Sequence, residues 1–345
     1  MSIIAIVGAG MMGSAMSVPA CDNGHEVRII GTHLDREIID HARTTHEHLT
    51  MKRTLPPRAV YYQIEELEEA IKDADVIIGG VSSFGVDWFS ENVIPLVGDG
   101  LPILSVTKGM HNSEDGSFIS FPELYRQRSA GRLSFNAIGG PCTSYELADR
   151  RHSAVVFCGE DLSVLRRLRQ LLETDYYHIS LSTDVTGVEC AVAMKNAYAL
   201  GVTLAIGMIE KQEGPGCVQA YNTQAALFGQ SVREMRTMIH LLGGRSENIV
   251  YAAGDLYVTV FGGRTRMLGT LLGRGYTFSQ AMQELHGITL ESVSIAACME
   301  RAVNRLIERG LTKRSSFPLL EHIGKLLREE QTDGIPFSRF ETTET

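Results

Sequence analysis

The chain opens with the apolar stretch Ser2-Ile3-Ile4-Ala5-Ile6-Val7, followed directly by Gly8-Ala9-Gly10-Met11-Met12-Gly13. An apolar strand that runs into G-x-G-x-x-G is typical of a dinucleotide-binding βαβ unit. Gly8 permits the tight turn, Gly10 lets the backbone approach a pyrophosphate, and Gly13 lets the next helix pack on the strand. The start of that helix offers N–H groups and a partial positive charge to phosphates. The motif therefore predicts a dinucleotide cofactor.

The residues around the motif support this interpretation. Residues 14–18 are compatible with a helix, and residues 25–30 supply a second strand. The unit closes within about 30 residues, as the motif requires. The alternative, a glycine turn that binds no ligand, is less favoured in this context.

Length and composition limit the class of protein. A chain of 345 residues with 44% hydrophobic residues predicts two domains with a sizeable core. The net charge is -9 and no long basic run occurs, so a general nucleic-acid or membrane surface is not expected. Anionic ligands must then be bound by locally gathered lysines and arginines.

The cysteines and the N-terminus indicate a cytoplasmic enzyme. The six cysteines lie far apart without C-x-x-C or zinc spacing, and those at 21, 158, 190 and 298 fit buried apolar positions. The first apolar stretch is too short for a signal peptide, and no run of about 18 apolar residues predicts a membrane span.

The two halves of the chain differ in pattern. The first half alternates short apolar runs with helical stretches, which indicates a parallel sheet with crossover helices. The predicted strands are residues 2–7, 25–30, 75–81, 101–106, 135–138, 154–157 and 177–180. From residue 183 the strand-like runs stop, and the predicted helices are residues 187–207, 222–242, 279–286, 292–308 and 318–329. We expect a Rossmann-type doubly wound α/β domain over residues 1–182 and an all-helical domain over residues 183–345.

Two lysines are candidates for chemistry. Lys195 lies in residues 187–198, a stretch that is apolar nearly all round and therefore predicts a buried helix. A buried lysine is costly unless it is paired or used, and burial suits its amine to proton transfer. The alternative is a lysine at the helix rim that reaches solvent. Lys108 directly follows a buried strand, where it either contacts a substrate or is an ordinary loop lysine.

Two further groups of residues stand out. Asp255 and Thr259 lie one helical turn apart, and residues 261–266 place a glycine pair before two arginines, which either bind an anion or form a solvated surface turn. His41, His46 and His48 cluster downstream of His33. A metal site is one interpretation of this cluster, but a polar loop with solvated histidines is favoured because no flanking pattern fixes ligand geometry.

Taken in order, these pieces resemble NAD(P)-dependent glycerol-3-phosphate dehydrogenase of the bacterial and archaeal type. The resemblance covers essentially the whole chain and rests on residues 8–13, 76–83, 107–109, 140–141, 189–196, 222–227, 254–256 and 263–264. It implies reversible reduction of dihydroxyacetone phosphate to glycerol 3-phosphate with a nicotinamide cofactor.

The resemblance also implies a role for each matching residue. It makes Lys195 the proton donor and acceptor at the C2 oxygen, and it adds Lys108 and Asp255 to the catalytic set. The implied substrate-binding residues are Lys108, Gly140, Asn196, Asp255, Thr259, Gly263, Arg264 and Thr265. The implied cofactor-binding residues are Gly8, Gly10, Met11, Met12, Gly13, Thr32, Ser144, Arg264 and Glu291. No metal site is implied.

Three departures from the family pattern fall around the implied substrate and nicotinamide. Arg264-Thr265 replaces the usual Arg-Asn, Cys142-Thr143-Ser144 replaces S-F-A, and Thr289-Leu290-Glu291-Ser292 replaces V-V-E-G. They leave the reaction class intact and leave another small ketose or polyol phosphate open as substrate.

The end of the second strand bears on the cofactor. It reads Ile30-Gly31-Thr32-His33, without the acidic residue that usually binds the ribose of NAD. A 2′-phosphate is tolerated there, with Arg36 or Arg28 to meet it, so NADP is slightly favoured over NAD.

Two alternatives stay open at this point. One is a ketopantoate-type or β-hydroxyacid dehydrogenase, which shares the fold and a lysine in the helical domain. The other is a binding protein that senses NAD(P) without catalysis. The expected partner is a small phosphorylated substrate, and the apolar helical domain suggests a homodimer.

Overall fold

The structure is a computed structural model that describes residues 1–286 and 290–340. The chain divides into two compact units. The sheet unit comprises residues 1–108 and 120–185, and the helical unit comprises residues 109–119 and the described residues from 186 onward. The compact units therefore do not follow a single cut near residue 182.

The sheet unit contains an eight-stranded sheet. Its strands are β1 (Ile3–Val7), β2 (Glu26–Ile30), β3 (Val60–Tyr62), β4 (Val76–Gly79), β5 (Pro102–Ser105), β8 (Ser134–Gly139), β9 (Ser153–Cys158) and β10 (Tyr177–Ser182), while β6 (Met110–Asn112) and β7 (Phe118–Ser120) form a separate two-stranded sheet. The order across the large sheet is β10-β9-β8-β5-β4-β1-β2-β3. All neighbouring strands are parallel except β8 and β9, which are antiparallel.

Burial explains why these segments form strands. Ile4, Ile6, Val27 and Ile29 have no exposed surface, as expected for parallel strands covered on both faces. The covering helices are α1 (Met11–Ala15), α2 (Ser17–Asp22), α3 (Arg36–Thr45), α4 (Leu67–Ile71), α5 (Val86–Asn92), α6 (Phe121–Arg128), α7 (Ser144–Ala148) and α8 (Leu162–Leu172). The predicted Rossmann-type fold is confirmed, with the antiparallel β8–β9 pair as a departure from a purely parallel sheet.

The helical unit is built around one long helix. Its helices are α9 (Val185–Glu213), α10 (Tyr221–Leu241), α11 (Ile249–Val260), α12 (Gly263–Arg274), α13 (Phe278–Glu284), α14 (Glu291–Glu308) and α15 (Pro318–Leu327). Helix α9 is long and apolar enough to cross a membrane by composition, but 78% of its most apolar window is buried inside the protein. It is the core helix of this unit.

Residues 109–119 belong to the helical unit although they lie in the first half of the chain. Met110 is 5% exposed within the helical core. The Asn112 side chain donates to the Cys298 carbonyl at 3.2 Å and accepts from Arg301 at 2.8 Å, both on α14. Apolar packing by Met110 and Phe118 and polar contacts from Asn112 to α14 thus bind this segment to the helical unit.

Candidate functional site

The loop of residues 8–13, hereafter the glycine loop, joins β1 to α1. Gly8 has φ +110°, and a Cβ built there would lie 2.7 Å from the Gly80 carbonyl carbon. A Cβ at Gly13 would lie 2.3 Å from the Gly8 oxygen. Both glycines are therefore required by the packing of the protein's own backbone. Gly80, which sequence reasoning did not single out, is the third member of this close contact.

Gly10 differs from its neighbours because nothing in the sheet unit crowds it. Its φ is -65°, and the nearest atom to an added Cβ is the Gly80 oxygen at 3.8 Å. The next residues, Met11 and Met12, are exposed and half-buried. A Cβ at Gly10 would fill open space beside the backbone, so this cradle fits a group such as a pyrophosphate that must approach the chain closely.

The turn after β2 contains a carboxylate that sequence reasoning missed. Thr32 is buried, and its N–H and Oγ–H both donate to Asp35 Oδ2 at 2.8 Å. Arg28 donates to the carbonyls of Ala70 and Lys72 and pairs with Glu26, so its guanidinium is engaged within the sheet unit. Arg36 is exposed and paired with Glu65 beside this turn.

Lys108 and Gly140 lie together in the sheet unit, after the neighbouring strands β5 and β8. The Lys108 ammonium donates to the Gly140 carbonyl at 2.7 Å, and Gly140 has φ +95°. Parallel strands end at the same edge of a sheet, which explains the contact. Gly140 adopts a left-handed conformation that favours glycine.

The departure at residues 142–144 has a local structural basis. Thr143 is the N-cap of α7 and accepts from the Glu146 N–H at 3.4 Å, while Ser144 begins the helix and is 8% exposed. Cys142 lines a cavity of about 10 Å³ together with Lys108. All six cysteines are free thiols. Cys298 is half-buried, so the expectation of a buried cysteine is wrong there because one side of α14 is partly exposed.

The histidines do not form a solvated loop. His48 has no exposed surface, His46 is half-buried, and His41 lies on α3. His48 Nε2 contacts the Ala9 carbonyl at 2.9 Å, in the glycine loop. Within residues 1–286 and 290–340 no group of three metal-ligating side chains is found. Tertiary packing therefore overturns the polar-loop interpretation for His48.

In the helical unit, Lys195 and Asp255 form an ion pair in which the aspartate is buried and the lysine largely so. Lys195 Nζ lies 2.6 Å from Asp255 Oδ1, and their side chains are 14% and 1% exposed. Helix α9 carries the lysine and α11 carries the aspartate. The sequence singled out both residues but did not predict that they pair. Thr259 Oγ1 donates to the Asp255 carbonyl at 2.7 Å, which fixes the threonine against its own helix.

Two further predicted residues meet at the start of α14. The Asn196 amide donates to Glu291 Oε2 at 3.5 Å. Of the departing segment 289–292, Thr289 lies outside the described residues, and Ser292 is fully buried. The contact brings the Glu291 carboxylate of α14 against the amide of the residue that follows Lys195 on α9.

The last predicted residues open α12. Gly263 has φ +81°, and an added Cβ on Gly262 or Gly263 would meet nothing within 4 Å. Arg264 is exposed and Thr265 is half-buried. An open glycine pair before an arginine leaves backbone N–H groups and a guanidinium where an anion can be bound.

Comparison with known proteins decides the family. The model of the NAD-dependent glycerol-3-phosphate dehydrogenase N-terminus matches residues 3–164, and that of the C-terminus matches residues 184–333. The chain is 35% identical over 286 residues to the NADP(+)-dependent glycerol-3-phosphate dehydrogenase of Archaeoglobus fulgidus, covering 82% of this chain and 83% of that protein. The chain belongs to the NAD(P)-dependent glycerol-3-phosphate dehydrogenase family. It is an oxidoreductase that uses NAD(P), which removes the interpretation as a non-catalytic sensor.

Other similar proteins support the same family assignment. The chain is 25% identical to glycerol-3-phosphate dehydrogenase [NAD(P)+] 2 of Lactobacillus delbrueckii, covering 96% of this chain and 99% of that one. The crystal structure of the Coxiella burnetii glycerol-3-phosphate dehydrogenase has a TM-score of 0.79 at 21% identity, covering 98% and 97% of the two chains. This structural likeness shows that the fold is shared.

Proposed function

We propose that this enzyme interconverts dihydroxyacetone phosphate and sn-glycerol 3-phosphate with NAD(P), and that Lys195 is its proton donor and acceptor. The observation that carries the proposal is the largely buried pair of Lys195 and Asp255, at 2.6 Å. A charged pair is costly to bury in a helical core, and perturbed or buried charges cluster at functional sites. Family membership supports the substrate.

The pair suits proton transfer at a carbonyl oxygen. The Lys195 amine holds a proton that it donates to the C2 oxygen during reduction and takes back during oxidation. The same ammonium stabilises negative charge as it develops on that oxygen. Asp255 orients the amine through the hydrogen bond, and its own position is fixed within α11.

Arg264 and the glycine pair before it are the proposed phosphate contacts in the helical unit. A guanidinium binds phosphate through two parallel hydrogen bonds, which also fixes its orientation. In the sheet unit we assign substrate contact to Lys108, whose amine is held by the Gly140 carbonyl. Binding the phosphate supplies energy remote from the reacting carbon and orients C2.

The glycine loop is the proposed cofactor-binding segment, with Gly10 against the pyrophosphate. When bound, the cofactor supplies or accepts the hydride at C2. The name of the Archaeoglobus fulgidus relative supports NADP, as does the turn after β2, where Asp35 Oδ2 is already occupied by donors from Thr32. Arg36 is the proposed contact for a 2′-phosphate. The cytoplasmic location and the homodimer stay predictions.

A substrate panel tests the proposal. NADPH or NADH oxidation is followed with dihydroxyacetone phosphate, with other small ketose phosphates, and with ketopantoate and β-keto acids. We expect the highest kcat/KM with dihydroxyacetone phosphate and NADPH. Activity on carboxylates but not on phosphates would instead support the ketopantoate-type alternative. Highest activity on a larger ketose phosphate would agree with the departures at residues 142–144 and 265.

A further inference from the structure

Ala9, in the middle of the glycine loop, is held through both its N–H and its carbonyl. Its N–H donates to Asp35 Oδ2 at 3.2 Å. Its carbonyl accepts from Ser14 Oγ at 3.1 Å and contacts His48 Nε2 at 2.9 Å. Ala9, Ser14 and His48 are all buried. These contacts fix the orientation of the peptide that directly precedes Gly10.

The hydrogen bonds of His48 identify which of its nitrogens carries the proton. Nδ1 accepts from the N–H groups of Thr50 at 3.2 Å and Met51 at 3.0 Å, so it carries none. The proton therefore lies on Nε2, which donates to the Ala9 carbonyl. Burial lowers the pKa of His48 from 6.5, which favours this neutral form. The imidazole thus bridges residues 50–51 to the glycine loop.

The bridge from His48 restrains a segment of the backbone that is otherwise flexible. Ala9 lies between two glycines, and glycine permits many backbone conformations. The side chains that contact the Ala9 carbonyl, those of Ser14 and His48, both lie outside residues 8–13. A loop that had to be ordered during binding would lower cofactor affinity, because the cost of ordering is subtracted from the binding free energy.

We propose that His48 is a positioning residue for the cofactor: its Nε2–H holds the Ala9 carbonyl, so that Gly10 and the N–H groups after it stay oriented toward the pyrophosphate. The inference rests on the proposed role of the glycine loop. It goes beyond that role because it assigns cofactor affinity to a side chain 39 residues away that does not belong to the loop.

Two substitutions separate the donor function of His48 Nε2 from the acceptor function of its Nδ1. In His48→Gln the side-chain amide reaches about as far as Nε2 and keeps a donor for Ala9, but the acceptor for residues 50–51 is lost. In His48→Asn the amide oxygen lies near the former Nδ1, so the acceptor is kept and Ala9 is out of reach. Both remove the ring, so each variant is the packing control for the other.

The measurement is the Kd of NADPH by fluorescence titration, with thermal stability and steady-state kinetics on the same samples. We expect His48→Asn to raise the Kd and the KM for NADPH about fivefold, the effect of losing one positioning hydrogen bond. Its kcat at saturating NADPH and its KM for dihydroxyacetone phosphate stay within about twofold. His48→Gln binds NADPH within about twofold of wild type.

Equal NADPH affinity in the Asn and Gln variants, or affinities that simply follow their stabilities, would overturn the proposal and leave His48 as a packing residue. If His48→Asn does not fold, His48→Leu takes its place, since it also offers no donor to the Ala9 carbonyl, and an unchanged Kd in that variant overturns the proposal. Gly10→Ala tests the cofactor-binding role of the glycine loop separately from the positioning role of His48. Undiminished NADPH binding by Gly10→Ala refutes the role of the glycine loop itself.

Discussion

The two units bury different kinds of polar side chain. Among the described residues, the buried carboxylates are all in the helical unit, at Glu189, Glu234 and Asp255. The buried polar side chains of the sheet unit are serine, threonine, asparagine, glutamine and one histidine. Among the described residues, carboxylates are therefore buried in the helical unit alone, although that unit buries uncharged polar groups as well.

This difference follows from what each unit offers a ligand. The glycine loop presents backbone, and buried groups such as Ser14 and His48 serve to fix that backbone. Away from their ends, helices satisfy their own backbone groups internally, so a site on the body of a helix must be made of side chains. A charged side chain such as Lys195 then requires a buried partner, here Asp255.

Glu234 shows the same principle away from the candidate site. Its carboxylate accepts from the Tyr198 hydroxyl, the Gln230 amide, and the N–H groups of Leu319 and Leu320 at the start of α15, at 2.8–3.0 Å. Burial outweighs these donors and raises the pKa of Glu234 to about 7. One buried carboxylate thus connects α9, α10 and α15.

Removing the charge at Lys195 should give the largest effect, a loss of turnover. It tests whether the site of the helical unit depends on side chains. Lys195→Met is expected to lower kcat by about 10³-fold, because proton transfer to C2 loses its donor. NADPH affinity, which we assign to the sheet unit, should stay within about twofold. Steady-state kinetics and fluorescence titration measure the two quantities.

The control for this variant addresses the stranded carboxylate. Lys195→Met leaves Asp255 buried without its ammonium partner, which costs about 3–5 kcal/mol of stability. In the double variant with Asp255→Asn, stability should be largely regained while turnover stays low. Near-normal turnover in either protein would exclude lysine as the proton donor.

Two glycine substitutions test the backbone half. Gly13→Ala forces a Cβ to within 2.3 Å of the Gly8 oxygen, so we expect a loss of about 1–3 kcal/mol in the free energy of unfolding. Gly10→Ala meets no atom closer than 3.8 Å and should keep its stability. It should instead weaken NADPH binding about tenfold, because the methyl group occupies the cofactor's path. If the two variants behave alike in denaturant unfolding and titration, the distinction between packing and ligand glycines is lost.

A prediction away from the candidate site concerns pH and His322, a buried histidine on α15. Burial, reinforced by Lys325, lowers the pKa of His322 from 6.5 to about 4, while Glu321 acts in the opposite direction. Below pH 6.5 the unfolded chain binds a proton there that the folded chain does not, so stability falls as the pH is lowered toward 4. Between pH 7.5 and pH 5 the advantage of wild type over His322→Gln should shrink by about 2 kcal/mol.

Comparison with the variant is essential because Glu234 acts with the opposite sign. A carboxyl whose folded pKa is raised from 4.5 to about 7 contributes stability that is lost as the pH rises through that range. Since this contribution is common to wild type and His322→Gln, it cancels in the difference. A pH-independent difference between the two proteins contradicts the assignment to His322.

Local patterns predicted most of the fold. The glycine spacing and the apolar strand before it are readable within residues 2–13, and the apolar sequence of α9 predicted a buried helix. The short strands β3, β6 and β7 were missed, because three residues are too few to establish a period of two.

Sequence patterns predicted which residues belong to the candidate site, but they did not predict which of these residues contact one another. Lys195 and Asp255 are 60 positions apart in the chain, and periodicity says nothing about which helices meet. His48 was assigned to a solvated loop, since its burial depends on Ala9, Thr50 and Met51 being brought together by the fold. In this fold an acidic residue that binds the ribose is expected at the end of the second strand, within residues 30–33. Asp35 lies beyond these residues, in the turn that follows.

The route of the chain through residues 109–119 governs how the protein can be divided. Because the polypeptide enters the helical unit, leaves it and returns, no single proteolytic or genetic cut yields two self-sufficient halves. A fragment ending at residue 185 would carry Met110 without the apolar neighbours that cover it, exposing a side chain that is now 5% accessible. Splitting the enzyme cleanly requires excising this insertion and splicing it onto the C-terminal piece.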